Sequence, residues 1–181
     1  MDSFESLITL MLEEKGFWTQ TSVKLKITPL IRKVTGRTDP RPEIDIVAYK
    51  GGTNELLLVE CKSFLDSGGV NISAFNGKNP KFGKKFKLFT NEKYFMVIKK
   101  ALVEQFCDEK KISRNPKVQR LLAAGHIAKE SKEELKKLFN RRKDWELWSD
   151  DKLRQGLTNL AKKGYDNSIA TMVVKLLKIQ K

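Results

Sequence analysis

Asp45, Glu60 and Lys62 stand in the segment Pro42-Glu-Ile-Asp-Ile-Val-Ala-Tyr-Lys-Gly-Gly-Thr-Asn-Glu-Leu-Leu-Leu-Val-Glu-Cys-Lys62. Runs rich in Ile, Val and Leu flank Gly-Gly-Thr-Asn, the pattern of two strands joined by a tight turn. Whether Gly52-Thr53 or all of Gly51 to Asn54 makes the loop, the pairing has the same centre. Asp45 then faces Glu60, and Glu43 faces Lys62. Alternation along a strand puts these four on one face and Ile44, Ile46, Val59 and Cys61 on the other, fit for a core. Opposed like charges roughly 5 Å apart destabilise a hairpin, and a divalent cation between them reverses the sign. Mg²⁺ takes carboxylate and water oxygens, usually from one or two side chains plus substrate phosphate. Two carboxylates beside a lysine therefore suit metal-assisted phosphodiester hydrolysis. The metal polarises the phosphoryl oxygen and acidifies a bound water, and Lys62 orients that water or stabilises the developing charge. The plainer alternative is a hairpin with a Glu43–Lys62 ion pair and a tolerated acidic pair.

The elements around this hairpin follow from periodicity. Residues 3–15 read as an amphipathic helix with Ser3 as N-cap, Phe4, Leu7, Ile8 and Met11 as its stripe, and Gly16 as its end. Glu5 lies about 100° round from Phe4, at the stripe's edge. It either points toward the acidic face of the hairpin or is a solvated first-turn acid favoured by the helix dipole. Residues 17–28 alternate as a strand. The basic segment 29–41, with Arg32, Lys33, Arg37 and Arg41, reads as a loop or short helix that can contact phosphate. Residues 63–79 read as irregular. Lys78, Lys81, Lys84, Lys85 and Lys87 follow, interleaved with Phe82 and Phe86 and with no acid among them. The lysines suit phosphate contact and the phenylalanines a core. Residues 91–109 form a crossover helix and 118–123 a buried strand. A charged helix over 130–140, a short strand over 145–148, a helix capped by Ser149 and closed by Gly164, and a last helix capped by Asp166 complete the chain. The lone histidine, His126, reads as structural or solvent-facing.

Lys and Arg number 36 against 22 acids, a net charge of +14. That is the footprint of a nucleic-acid partner, because phosphate neutralisation dominates such affinity. Acids gathered at 43, 45 and 60 in so basic a chain match a cationic wall around an anionic metal site. No apolar stretch is long enough to span a bilayer, and no signal peptide precedes the first helix, so the expectation is a cytoplasmic protein without membrane association. Cys61 and Cys107 make neither a disulfide framework nor a zinc site, and one histidine is too few for a histidine-based centre.

Asp45 followed by Glu60-Cys61-Lys62 resembles the PD-(D/E)xK nuclease superfamily, which includes restriction endonucleases, Holliday junction resolvases and repair nucleases. Ile44 stands where the family's literal motif has proline. The resemblance implies Mg²⁺, with Mn²⁺ substituting, held by Asp45, Glu60 and the main-chain carbonyl of Cys61. It also implies catalysis by Asp45, Glu60 and Lys62, with Glu5 as a further acid. The fold expected is α/β: a restriction endonuclease-like αβββαβ core with a central mixed sheet flanked by helices, and additional C-terminal helices. One nuclease domain spans 1–181, its core about 1–128 and its elaboration about 129–181. The partner implied is DNA, contacted through Lys78, Lys81, Lys84, Lys85, Lys87, Arg37 and Arg41, and the assembly a homodimer. Restriction, junction-resolving and repair or defence activities all stay open. So do two readings of another class: a non-catalytic nucleic-acid-binding module, and an adaptor for an acidic protein.

Overall fold

The computed structural model describes residues 2–36, 40–162 and 168–179. Helix α1 (Ser3–Glu13) starts at Asp2, whose carboxylate accepts the Glu5 N–H at 2.8 Å; the N-cap is Asp2, not Ser3. Gly16, at φ +81°, turns the chain into β1 (Trp18–Lys24). Segment 29–41 is helical in its first part, α2 (Pro29–Thr35), with Thr28 as its cap. Strands β2 (Glu43–Lys50) and β3 (Glu55–Lys62) form the expected hairpin, joined by a 3₁₀ turn over Gly51–Thr53 and by Asn54 at φ +50°. Two short helices, α3 (Pro80–Gly83) and α4 (Lys87–Thr90), lead into α5 (Glu92–Asp108), which Asn91 caps. Then come β4 (Lys117–Ala124), α6 (Lys132–Asn140), β5 (Trp145–Trp148), α7 (Asp150–Leu160) and α8 (Ile169–Ile179).

The five strands make one mixed sheet in the order β1-β2-β3-β4-β5. Strand β2 is antiparallel to both β1 and β3, and β4 and β5 run parallel to β3. A parallel neighbour requires a crossover, and α5 supplies it. The central strand β3 is covered on both faces, which is why Leu56, Leu57, Leu58 and Val59 are all buried in an unbroken apolar run. One face packs under α2, α4, α5 and α6, through Ile31, Phe89, Phe95, Ile98, Leu102 and Phe139. The other packs under α1 and α7, through Ile8, Leu12, Trp148 and Leu153. Residues beyond 128 thus contribute to both cores and add a fifth strand to the sheet. The expected closures at Gly164 and Asp166 lie outside the described residues. Among the described residues, no helix is long and apolar enough to cross a membrane.

Candidate active site

The hairpin pairs from Lys50↔Glu55 to Ile46↔Val59, the expected register. The ladder stops there. Asp45 sits beside the next step, and its Oδ2 accepts the N–H of Cys61 at 2.7 Å, so a side chain takes the backbone donor. On the other side of β2, the β1 ladder passes from Thr21↔Ile46 to Val23↔Ile44, leaving out Ser22, whose φ is +50°. The alternation of β2 breaks at this point. Ile44 packs with Val23 and Leu25 under α5, whereas Ile46, Val59 and Cys61 pack under α1. This corrects the expectation that all four share a face. The break coincides with the left-handed Ser22 on β1, which lies outside the hairpin itself.

Lys62 lies between the two acids. Its Nζ pairs closely with Glu60, donates to the Cys61 carbonyl at 3.0 Å, and stands 3.7 Å from Asp45 Oδ2. The side chains of Lys62, Glu60 and Asp45 are 19, 17 and 27 % exposed. Burial holds the Glu60 carboxyl above the usual carboxylate range, and the Asp45 charge adds to that, against the pull of Lys62. Burial alone would lower Lys62, but the Glu60 and Asp45 carboxylates outweigh it and hold the ammonium above the ordinary lysine value. The close Glu60 pairing and the Asp45 carboxylate 3.7 Å away are the geometric cause. Burial pushes the Cys61 thiol far up, making it an inert core thiol rather than a nucleophile.

Glu43 stands outside this cluster. It pairs with Lys24, its register partner on β1, at 3.8 Å, so the Glu43–Lys62 pairing is not formed. Glu5 is carried toward the cluster by the first turn of α1. Its carboxyl is raised by burial, then by the charges of Asp45 and Asp2. The sequence thus brings together Asp45, Glu60, Lys62 and, at the margin, Glu5.

Among the described residues, no group of three or more His, Cys, Asp or Glu is placed to hold a metal together. The oxygen set is nevertheless suited to a hard cation. The Asp45 and Glu60 carboxylates and the Cys61 carbonyl converge on a single ammonium, and two carboxylates with a carbonyl leave the remaining positions to water, as Mg²⁺ prefers. These residues fit such an ion, provided that the Lys62 head moves aside.

Lys78, Lys81, Lys84, Lys85 and Lys87 are all exposed. Lys78 lies in the irregular segment before α3, whereas Lys81, Lys84, Lys85 and Lys87 stand on short helical turns: Asn79 caps α3, Phe86 is buried and Phe82 half-buried. Lys84 and Lys87 border a groove of about 710 Å³ walled by Ala74, Phe75 and Asn91. Arg41 is anchored, its Nε donating to Leu25 O at 2.5 Å, which gives it a structural task at the end of β1. Arg37 lies outside the described residues. His126 lends its backbone carbonyl to the Val70 N–H at 3.0 Å, and its ring abuts Gly69. The sequence reading overlooked Arg120. Only 3 % exposed, it pairs with Asp144 and Glu92, donates to Leu88 O at 3.0 Å and lies 3.7 Å over the Phe95 ring. A single cation inside an apolar strand was its signal. No protein-family model, curated protein or solved structure matches this chain.

Proposed function

We propose that the protein is a divalent-metal-dependent nuclease that hydrolyses DNA phosphodiester bonds at Asp45, Glu60 and Lys62. The observation that carries this reading is the convergence of two carboxylates and one backbone carbonyl on a single cation at the open end of a covered sheet. The order α1, β1, β2, β3, α5, β4 supports a restriction endonuclease-like αβββαβ core. The net charge of +14 supports a polyanionic substrate. Mg²⁺, or Mn²⁺ in its place, would be held by Asp45, Glu60 and the Cys61 carbonyl. When bound, such an ion supplies Lewis-acid polarisation of a phosphoryl oxygen and a more acidic water.

The chain's own residues then have distinct tasks. Asp45 is fixed by the Cys61 N–H, so its free oxygen is held in place without reorganisation. Glu60, inside a largely dry wall, is a stronger ligand than an exposed carboxylate because water competes with it less. Lys62 stays charged through neutral pH and donates to the attacking water or to the phosphate oxygen on which charge accumulates. Exposed Lys81 and Lys84 hold the strand's phosphates near the site. Symmetric cutting of both strands calls for two sites, so a homodimer belongs to the proposal.

The test offers supercoiled plasmid, linear duplex, single strand and four-way junction with Mg²⁺, Mn²⁺ or EDTA, beside Lys62→Ala. Metal-dependent cutting that the substitution abolishes is the expected result, and the preferred substrate separates restriction, repair and junction-resolving roles. Tight, salt-sensitive binding with no cutting of any substrate would instead favour a non-catalytic binding module.

A further inference from the structure

The chain leaves β3 through Ser63 and Phe64, immediately after Lys62. Phe64 has φ +46°, in the left-handed region. A bulky residue is strained there, and such residues persist only where their surroundings hold them. The Phe64 carbonyl accepts the Ser67 N–H at 3.2 Å and the Ser67 hydroxyl at 3.3 Å, and its side chain packs in a stack. Its ring lies on that of Phe82, centroids 6.1 Å apart and planes 23° from parallel. Phe82 is seated edge-on against the buried Phe86 at 5.6 Å, and the Asn79 cap fixes the turn that carries it. The Lys85 ammonium stands over both stacked rings, at 5.8 Å from Phe64 and 5.4 Å from Phe82. Both rings are half-buried and pack against the larger of the two cores.

We propose that Phe64, Phe82 and Lys85 form a stacking platform for an unpaired nucleobase of the strand whose phosphate lies at Lys62. The proposal rests on the phosphodiesterase reading of the Asp45–Glu60–Lys62 site and adds to it the form of substrate taken. Lys62 and Phe64 are two residues apart, their Cα atoms separated by at most about 7 Å, and the proposal places the phosphate at Lys62 and the base at Phe64 on the same stretch of one strand. Every base has a π-face, so a phenylalanine platform holds unpaired bases with little regard to sequence. Lys85 contributes cation–π attraction to the rings and a charge for the adjoining phosphate. A base inside a duplex already stacks on its neighbours and cannot lie on Phe64. The platform therefore selects single strands, flaps or opened junctions over intact duplex.

The test is fluorescence anisotropy in EDTA, where nothing is cut, with single-stranded oligothymidylate and a blunt duplex of equal length. Phe64→Leu keeps the strained backbone and apolar bulk but loses the π-face, and thermal melting checks that it folds. Its expected effect is single-strand affinity weakened about tenfold or more, with duplex affinity little changed. Phe64→Trp keeps single-strand affinity. Lys85→Gln, a surface change with no cost to folding, weakens single-strand binding more than duplex binding. Equal losses on both substrates, or no loss on either, would overturn the platform. Cutting in Mg²⁺ is scored separately. A chain that cuts, but whose single-strand binding ignores Phe64, loses the platform and keeps the nuclease. Phe64-dependent single-strand binding without cutting keeps the platform and removes the nuclease.

Discussion

Lys62 contacts Glu60 and the Cys61 carbonyl and stands 3.7 Å from the Asp45 oxygen that accepts the Cys61 N–H, so in the proposed site its head lies among the groups that would hold a metal. On that reading ammonium and metal compete. Lys62→Met is expected to bind Mn²⁺ at least as tightly as the parent in calorimetry while cutting about 10²–10³-fold more slowly, the usual loss when one preorganised donor is removed. A clear fall in Mn²⁺ affinity would mean that Lys62 supports the ion rather than displacing it. Glu5 gives a pH prediction. Its folded carboxyl is raised above 4.5 by burial and by the Asp45 charge, so the neutral form is the stabilised one. Its contribution is complete below that value and is lost as pH rises through the folded value. Glu5→Gln should therefore melt higher than the parent at about pH 7.5 and no higher at about pH 4. An identical difference at both would mean that neither burial nor the Asp45 charge raises the Glu5 carboxyl. The triad was legible because its residue types and spacing lie within one hairpin. The break at Asp45 and the Lys24–Glu43 pair were not, since both depend on β1, whose register against β2 no local signal states.

Two elements meet at the mouth of the site through Gly125. Its N–H donates to the Lys62 carbonyl at 2.9 Å, and a Cβ there would lie 2.5 Å from Ser63 O and 3.1 Å from Phe4. The close neighbour is backbone and cannot swing away, so Gly125→Ala should destabilise by about 1–3 kcal/mol. It should also slow cutting by shifting the end of β3, and an unchanged melting temperature would show that Ser63 has room to retreat. Arg120 ties β4 to α5 and to the start of β5, its two acids partly open to water. Arg120→Met should cost about 2–3 kcal/mol in denaturant unfolding and leave metal binding alone, since its partners are remote from Lys62. Helices α1 and α5 were readable from their stripes, and β3 from its apolar run. The turns of α3 and α4 were hidden because five lysines mask the spacing of the phenylalanines. The N-cap of α1 moved from Ser3 to Asp2, a choice between adjacent capping residues that sequence does not decide.

At the scale of the molecule, both faces of the sheet are covered, and the Asp45–Glu60–Lys62 cluster lies where β3 ends and β2 begins. The layered α/β architecture followed from the order of elements. The pairing order of the strands did not, because β4 and β5 join through crossovers whose destination is set by packing. The excess positive charge has a measurable consequence. Duplex binding should weaken with salt, and Lys81→Gln with Lys84→Gln should flatten the slope of log affinity on log salt by up to about 0.9 per residue. A slope indifferent to both would place the phosphates elsewhere on the surface. The central claim concerns Asp45, and supercoiled plasmid tests it most directly, incubated with Mg²⁺ or EDTA and with the parent chain or Asp45→Asn. The account predicts nicking or linearisation by the parent in Mg²⁺ alone, and a loss of about 10²-fold or more in the variant. Cutting that survives in EDTA, or that Asp45→Asn leaves intact, would contradict it.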